Sequence, residues 1–177
     1  MIRAYQRDDR SALLGIFRLN TPKFFHRDEE SDFSSYLDRH AASFFVVEHQ
    51  GQIVGCGGFH LVGEGAAGRI SWTFLHPGHQ GLGLGAELVH HCLLQLRSMP
   101  SVKRIIVLTS QYASAFFYKF GFRVEEIKKD YWAEGMDLHW MEMESNKLHN
   151  EELLCAVPGA FLTYQNPGKI GRPTNSR

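Results

Sequence analysis

The stretch Gln80-Gly-Leu-Gly-Leu-Gly-Ala86 stands between a strand-like run and the most regular amphipathic pattern of the chain. Its three glycines at alternate positions leave the backbone without Cβ atoms, so several N–H groups can converge on one anion. The helix that follows presents the positive end of its dipole to the same anion. The stretch therefore predicts a turn that holds a phosphate or a pyrophosphate. The alternative is a turn that only lets strand and helix pack closely.

The patterns on either side of this turn predict the fold. Apolar residues at helical spacing follow it and end before Pro100: Leu84, Leu88, Val89, Cys92, Leu93 and Leu96. Further helices are predicted from residue 8 to a stop at Thr21-Pro22, at residues 28–40 and at residues 113–120. Strands are predicted at residues 2–5, 44–48, 52–59, 70–75, 105–108, 122–127 and 136–143. This order predicts an α/β fold of three layers, a central mixed sheet flanked by helices.

The composition excludes several classes of function. The chain has 177 residues, of which 44% are hydrophobic, and 19 basic residues balance 19 acidic ones. Because its net charge is close to zero, the chain is not expected to bind nucleic acid or an anionic membrane. No apolar run reaches the roughly 18 residues that span a bilayer, and the charged N-terminus does not resemble a secretory signal. Three widely spaced cysteines predict reduced thiols and a cytoplasmic protein: Cys56, Cys92 and Cys155.

Two other nucleotide-binding interpretations of the glycine turn are excluded by the residues that follow it in the sequence. Gly81-x-Gly83-x-x-Ala86 formally satisfies the dinucleotide fingerprint, which also requires an acidic residue about 20 residues further on. The next strand ends in Leu108-Thr-Ser-Gln111 without a carboxylate. A phosphate loop of the ATPase kind requires Lys-Ser or Lys-Thr after its last glycine, and here Ala86-Glu87 follows. Neither a dinucleotide site nor a phosphate loop of the ATPase kind is therefore predicted.

Two landmarks together resemble a known family. Gln80-x-x-Gly83-x-Gly85, preceded by Leu75-His-Pro, is similar to the acetyl-CoA signature of the GNAT superfamily of N-acetyltransferases. Ala115-Phe-Phe-Tyr-Lys-Phe-Gly-Phe122 is similar to that family's second landmark, the short helix and strand beside the cofactor thiol. The resemblance implies a single GNAT-like domain over residues 1–144, a C-terminal extension over residues 145–177, and acetyl-CoA as co-substrate.

The resemblance also implies which residues hold acetyl-CoA. Backbone N–H groups of the glycine turn would hold the pyrophosphate. The strand before it would splay from the next strand and bind the pantetheine amides as an added strand does. Ser110 stands where the family often has Asn, and its alternative role is to start the next helix. The cofactor-binding residues implied in this way are Thr73, Leu75, Gln80, Gly81, Leu82, Gly83, Leu84, Gly85, Ala86, Ser110 and Phe117.

The residues for proton transfer depart from the family pattern. Where some members have a carboxylate base, eleven residues before Gln80, this chain has Arg69. Arginine is always charged, so it is expected either to attract an acidic substrate or to face solvent. Members commonly place Tyr four residues before Gly121, where this chain has Phe117, with Tyr118 one step later. Tyr118 is the predicted proton donor to the thiolate, and a place in the core or groove is the alternative.

The ten histidines give no firm assignment. Four of them have a suitable intrinsic pKa to accept the amine proton, and the sequence does not choose between them: His26, His60, His76 and His79. A water chain is the other route for this proton. Histidines and cysteines show no metal-ligand spacing, so no metal site is predicted.

Two segments combine aromatic rings with charges and are predicted to choose the acceptor: residues 23–27 and residues 128–134. The predicted substrate-binding residues are Phe25, His26, Tyr131 and Trp132. Three carboxylates in or beside the second segment would hold a protonated amine: Asp130, Glu134 and Asp137. The alternative is that the large aromatic rings fold back onto the core.

The sequence predicts an N-acetyltransferase that passes the acetyl group directly to a primary amine within a ternary complex. The acceptor is a small molecule or a peptide amine. A non-catalytic acyl-CoA-binding sensor or regulatory module is the alternative, favoured by Arg69 and Phe117. A third interpretation is a self-associating scaffold, a homodimer in which residues 151–170 pack on a second copy.

Overall fold

Strands and helices follow one another in the order that the sequence predicts. The computed structural model describes residues 1–145, and the predicted extension beyond Ser145 lies outside the described residues. The helices are α1 (Arg10–Leu19), α2 (Glu29–His40), α3 (Leu84–Arg97) and α4 (Ser114–Tyr118). The strands are β1 (Ile2–Ala4), β2 (Phe44–His49), β3 (Gln52–Val62), β4 (Ala67–Leu75), β5 (Arg104–Thr109), β6 (Arg123–Ala133) and β7 (Met136–Glu144). Within residues 1–145, no helix combines the length and apolarity needed to cross a membrane.

All seven strands form one mixed sheet in the order β1-β2-β3-β4-β5-β7-β6. Neighbouring strands are antiparallel except β4 and β5, which are parallel because α3 crosses between them. Side chains of α3 and α4 pack on one face of the sheet, and side chains of α1 and α2 pack on the other. The predicted α/β fold, a mixed sheet flanked by helices, is confirmed.

The core under α1 and α2 is unusually aromatic. Buried rings come from both helices, the segment between them and β4, among them Phe17, Phe25, Phe33, Trp72 and Phe74. The Phe33 ring lies 5.3 Å from the Phe74 ring and 5.0 Å from the Trp72 ring, centroid to centroid. Each buried side chain of this size stabilises the fold by about 1.5–3 kcal/mol. The cluster therefore fixes both helices against the second half of β4.

The segment of residues 128–134 is not the loop that the sequence predicts. β6 continues to Ala133, and only the turn at Glu134-Gly135 separates it from β7. Its pairing partner changes from Leu138 to Met136 between Lys128 and Ala133, so the strand bulges there. Charged residues on this exposed edge strand remove the apolar alternation that marks a strand, which explains the wrong prediction.

Candidate active site

β4 and β5 separate halfway along their length. They pair only through Ala67–Ile70 of β4 and residues 104–107 of β5, whereas β5 pairs with β7 as far as Thr109. The N–H of His76 donates to the carbonyl of Val54 on β3 at 2.7 Å. Because backbone groups alternate sides along a strand, those of the preceding Leu75 face the gap toward β5. The gap therefore presents a strand edge that an extended ligand can bind.

A bulge in β4 shapes this edge. Trp72 and Thr73 together stand opposite Gly57 of β3, and Trp72 has a φ of +56°. Such a φ is rare for a bulky residue, and backbone outliers of this kind concentrate at functional sites. The Thr73 Oγ1 is buried and has no hydrogen-bond partner among the described residues. A Cβ atom on Gly57 would come 2.9 Å from that oxygen, so the glycine allows the close approach.

The glycine turn begins α3 as an anion site requires. Gly81 and Gly83 have φ of +81° and +80°, in the left-handed region that favours glycine. A Cβ at Gly83 would meet no atom within 4 Å, so conformation and not packing requires the glycine. Gly83 is the N-cap of the helix and offers no side chain to the first N–H groups. The N–H of Ala86 already donates to the carbonyl of Gly83 at 2.9 Å.

Gln80 adds a buried donor beside the turn. Its Nε2 atom is buried and has no hydrogen-bond partner within residues 1–145. An orphaned buried amide is costly, so it indicates a polar group that completes the site. Together with the left-handed glycines and the positive end of α3, it fits the phosphates of acetyl-CoA.

Two aromatic residues of the second landmark, Phe117 and Tyr118, lie in different surroundings. Phe117 is fully buried and packs edge to face on Phe122 at 5.7 Å between ring centroids. Tyr118 is 43% exposed, and the guanidinium of Arg123 lies 5.8 Å from its ring. Ser110 is buried at the end of β5, where its carbonyl accepts the N–H groups that begin the helical turn before α4. The roles predicted for these residues stay predictions.

A buried cation lies on the face of the sheet that carries α1 and α2. Arg69 of β4 is only 7% exposed, stands directly opposite His60 of β3, and neighbours Ile106 of β5. The hydroxyl of Tyr36 in α2 is 3.0 Å from Nδ1 of His60. Burial, and then the charge of Arg69, lowers the pKa of His60 to about 3. The imidazole is therefore neutral at physiological pH.

The predicted substrate residues lie in separate places. Phe25 is 2% exposed and stacks on Phe17 at 4.5 Å within the aromatic core, whereas Trp132 packs with Tyr131 in a different cluster on β5, β6 and β7. His26 is exposed beside Asp28. The rings of Phe25 and Trp132 thus occupy core positions. A contact between any of these four residues and the acceptor stays a prediction.

Two features of this region could not be predicted from the sequence: the contact between Tyr36 and His60, and the hydrogen bonds of Asn20. Tyr36 is predicted as a buried helix residue and His60 as one of four candidate bases, but only the fold brings them together. Asn20 carries no sequence signal either, although its Nδ2 donates to the carbonyls of Ile16 and Leu75 at 2.9 and 3.0 Å. Within the described residues, no group of three or more His, Cys, Asp or Glu is placed to hold a metal ion.

Comparison with known proteins identifies what this geometry is similar to. The model of the acetyltransferase (GNAT) family matches residues 12–122. The amino-acid acetyltransferase of Neisseria meningitidis serogroup A is 27% identical over an alignment of 121 residues, and the match covers 64% of this chain and 26% of that protein. The chain thus spans about a quarter of the length of this curated relative.

Solved structures show the same fold. Rv2747 from Mycobacterium tuberculosis, solved in complex with CoA, superposes with a TM-score of 0.60 and 26% identity, covering 71% of this chain and 73% of that one. N-acetylglutamate synthase from Neisseria gonorrhoeae, complexed with coenzyme A and N-acetyl-glutamate, superposes with a TM-score of 0.63 and 23% identity. That match covers 83% of this chain and 35% of that one.

Proposed function

Because the chain belongs to the acetyltransferase (GNAT) family, we propose that it transfers the acetyl group of acetyl-CoA to the primary amine of a small molecule that carries a carboxylate. The observation that carries this proposal is Arg69, a guanidinium only 7% exposed beside the gap between β4 and β5. A buried guanidinium recognises a carboxylate by two parallel hydrogen bonds. The name of the Neisseria relative, an amino-acid acetyltransferase, supports an acceptor of the amino-acid type.

Acetyl-CoA is proposed to bind along β4 and the glycine turn. The pyrophosphate lies against Gly83 and the first turn of α3, where Gln80 supplies a further donor. The pantetheine lies in the gap, where the backbone of Leu75 faces it. The thioester then lies near Thr73, within reach of an amine that enters from the face of Arg69. The amine nitrogen attacks the thioester carbonyl carbon directly, the C–S bond breaks, and the thiolate leaves.

Arg69 also favours the reactive form of the amine. A free alkylamine has a pKa near 10.4, so most of it is protonated at neutral pH. A second positive charge nearby disfavours the ammonium and lowers the amine pKa. Arg69 cannot take the proton itself, and His60, with a pKa of about 3, is a poor acceptor. The proton is therefore proposed to leave through water, with Tyr118 as the donor to the thiolate.

The experiment measures CoA release with common L-amino acids, their α-carboxamides and simple alkylamines. We expect amino acids to react faster than their carboxamides, and Arg69→Gln to remove that preference by raising the acceptor KM. Equal rates for acids and carboxamides would contradict the carboxylate. The alternative function, a non-catalytic acyl-CoA-binding module, is favoured by Phe117 and Arg69 at positions where relatives often have an acid and a base. It predicts acetyl-CoA binding without release of CoA for any amine.

Two further features belong to the proposal. The buried free thiols of Cys56 and Cys92 support a reducing compartment, the cytoplasm. A homodimer remains the proposed assembly for the self-association alternative, and the mass in solution, measured with and without residues 151–170, tests it.

A further inference from the structure

We propose that His60 is a second anchor for the acceptor carboxylate, donating from Nε2 beside the guanidinium of Arg69. This inference rests on the proposed function and names the residue that, with Arg69, sets its specificity. His60 has no place in the cofactor site, which lies at the other end of β4 and in the turn before α3.

The pairing of β3 with β4 brings the two side chains together. His60 and Arg69 are directly opposite each other in the antiparallel register. Opposite residues share one face of a sheet, with Cβ atoms about 4.5–5.5 Å apart. Tyr36 of α2 contacts His60, so His60 and Arg69 lie on the face of the sheet that carries α1 and α2. A carboxylate held by Arg69 therefore lies within reach of the imidazole.

The hydrogen bond between Tyr36 and His60 supports one tautomer of the imidazole. Burial raises the pKa of the Tyr36 phenol well above its usual value, so the hydroxyl keeps its proton. Burial also keeps the imidazole neutral. In the proposed tautomer the hydroxyl, 3.0 Å from Nδ1, donates to it, and the proton of the ring is on Nε2. His60 thus offers one N–H donor without a second positive charge next to Arg69.

The surroundings of His60 favour an anion. The two guanidinium groups that act on it, Arg69 and Arg39, both oppose its protonation, so the local potential is positive. The His40 ring, also of α2, stacks on the His60 ring at 4.8 Å and 29°, which restricts the imidazole plane. A neutral donor held rigidly beside a guanidinium gives a carboxylate a third hydrogen bond at little cost in side-chain entropy. The alternative is a network that only holds α2 on β3.

The test compares acceptor kinetics of three variants with the parent, using the best L-amino acid of the panel and its α-carboxamide. His60→Leu removes the donor, Tyr36→Phe removes the group that fixes the tautomer, and His60→Gln keeps both a donor and an acceptor. His91→Leu is the matched control, because His91 is a half-buried histidine of α3 that packs on Phe45.

We expect His60→Leu to raise KM for the amino acid about 10- to 100-fold, as loss of a hydrogen bond to a charged group does. Its KM for the carboxamide should change by less than about threefold, since that ligand has no carboxylate for His60 to bind, and its kcat should stay near the parent value. Tyr36→Phe should show a smaller change of the same kind, and His60→Gln should restore most of the preference. His91→Leu should match the parent with both acceptors.

The outcomes separate this inference from the proposed function. If the parent prefers the amino acid and His60→Leu keeps the full preference, the inference is wrong and the proposed function stands. Equal loss with both acceptors would assign His60 to a purely structural role and would also overturn it. If the parent shows no preference for the carboxylate, both fail together. Should His60→Leu not fold, the change of preference in Tyr36→Phe decides.

Discussion

Gly83 connects a single backbone angle to cofactor binding. Its φ of +80° is strained for any residue with a Cβ atom, and a side chain there would occupy open space beside the proposed pyrophosphate site. At about 100 times its dissociation constant, acetyl-CoA should stabilise the parent by about 2.7 kcal/mol. Gly83→Val should remove this stabilisation, measured as the shift in thermal unfolding on addition of acetyl-CoA.

Gly51 provides the matched control for this experiment. It has a φ of +75° in the turn between β2 and β3, also with no atom within 4 Å of an added Cβ. Gly51→Val should therefore lower the unfolding temperature through the same strain and keep the full shift with acetyl-CoA. A Gly83→Val variant that keeps the parent's shift would remove the glycine turn from the cofactor site.

His60 gives the fold a measurable pH dependence. Its pKa is about 3 in the folded protein, and near 6.5 when unfolded. Between these values the unfolded chain binds a proton that the folded chain does not, so the free energy of unfolding falls as the pH falls. From pH 7 to pH 5 this single group should remove about 2 kcal/mol.

Urea unfolding at pH 7 and pH 5 measures this effect against His60→Gln, which has no titrating group at the position. The parent should lose about 2 kcal/mol more than the variant over this interval. Identical losses would show that the imidazole is not buried in its neutral form, and the argument for its tautomer would fail with it.

At the scale of elements, Asn20 joins the end of α1 to the end of β4. Its Nδ2 donates to the carbonyl of Leu75 at 3.0 Å, and the residue is 1% exposed. Asn20→Ala leaves that carbonyl and the carbonyl of Ile16 without this donor, which should cost about 1–3 kcal/mol of stability. Because Leu75 belongs to the edge proposed to bind acetyl-CoA, the KM for acetyl-CoA should rise as well. Steady-state kinetics and urea unfolding measure the two effects.

Thr21→Ala is the control for the tie between α1 and β4. The hydroxyl of Thr21 donates to the carbonyl of Phe17, one turn back in α1, at 3.2 Å. This variant should change stability slightly and leave the KM for acetyl-CoA unaltered. An Asn20→Ala variant with unchanged acetyl-CoA kinetics would show that α1 does not support the cofactor edge.

At the scale of the whole molecule, the features predicted correctly from the sequence are those that depend on short stretches of the chain. The glycine turn, α3 and the order of strands follow from local periodicity and backbone freedom, and the structure has them. The bulge at Trp72 and the pairing of His60 with Arg69 depend on the register between β3 and β4, which no local pattern determines. The strand at residues 128–133 was missed because its exposed edge carries charges.

The most direct test of the account is a competition. The protein receives acetyl-CoA and an equimolar mixture of the best L-amino acid acceptor and its α-carboxamide, and mass spectrometry measures the two N-acetyl products. Because Arg69 is buried on the face proposed to bind the acceptor, we predict that the N-acetyl amino acid exceeds the N-acetyl carboxamide at least about tenfold, and that Arg69→Gln brings the ratio close to one. Equal products from the parent protein, or no product at all, would contradict the account.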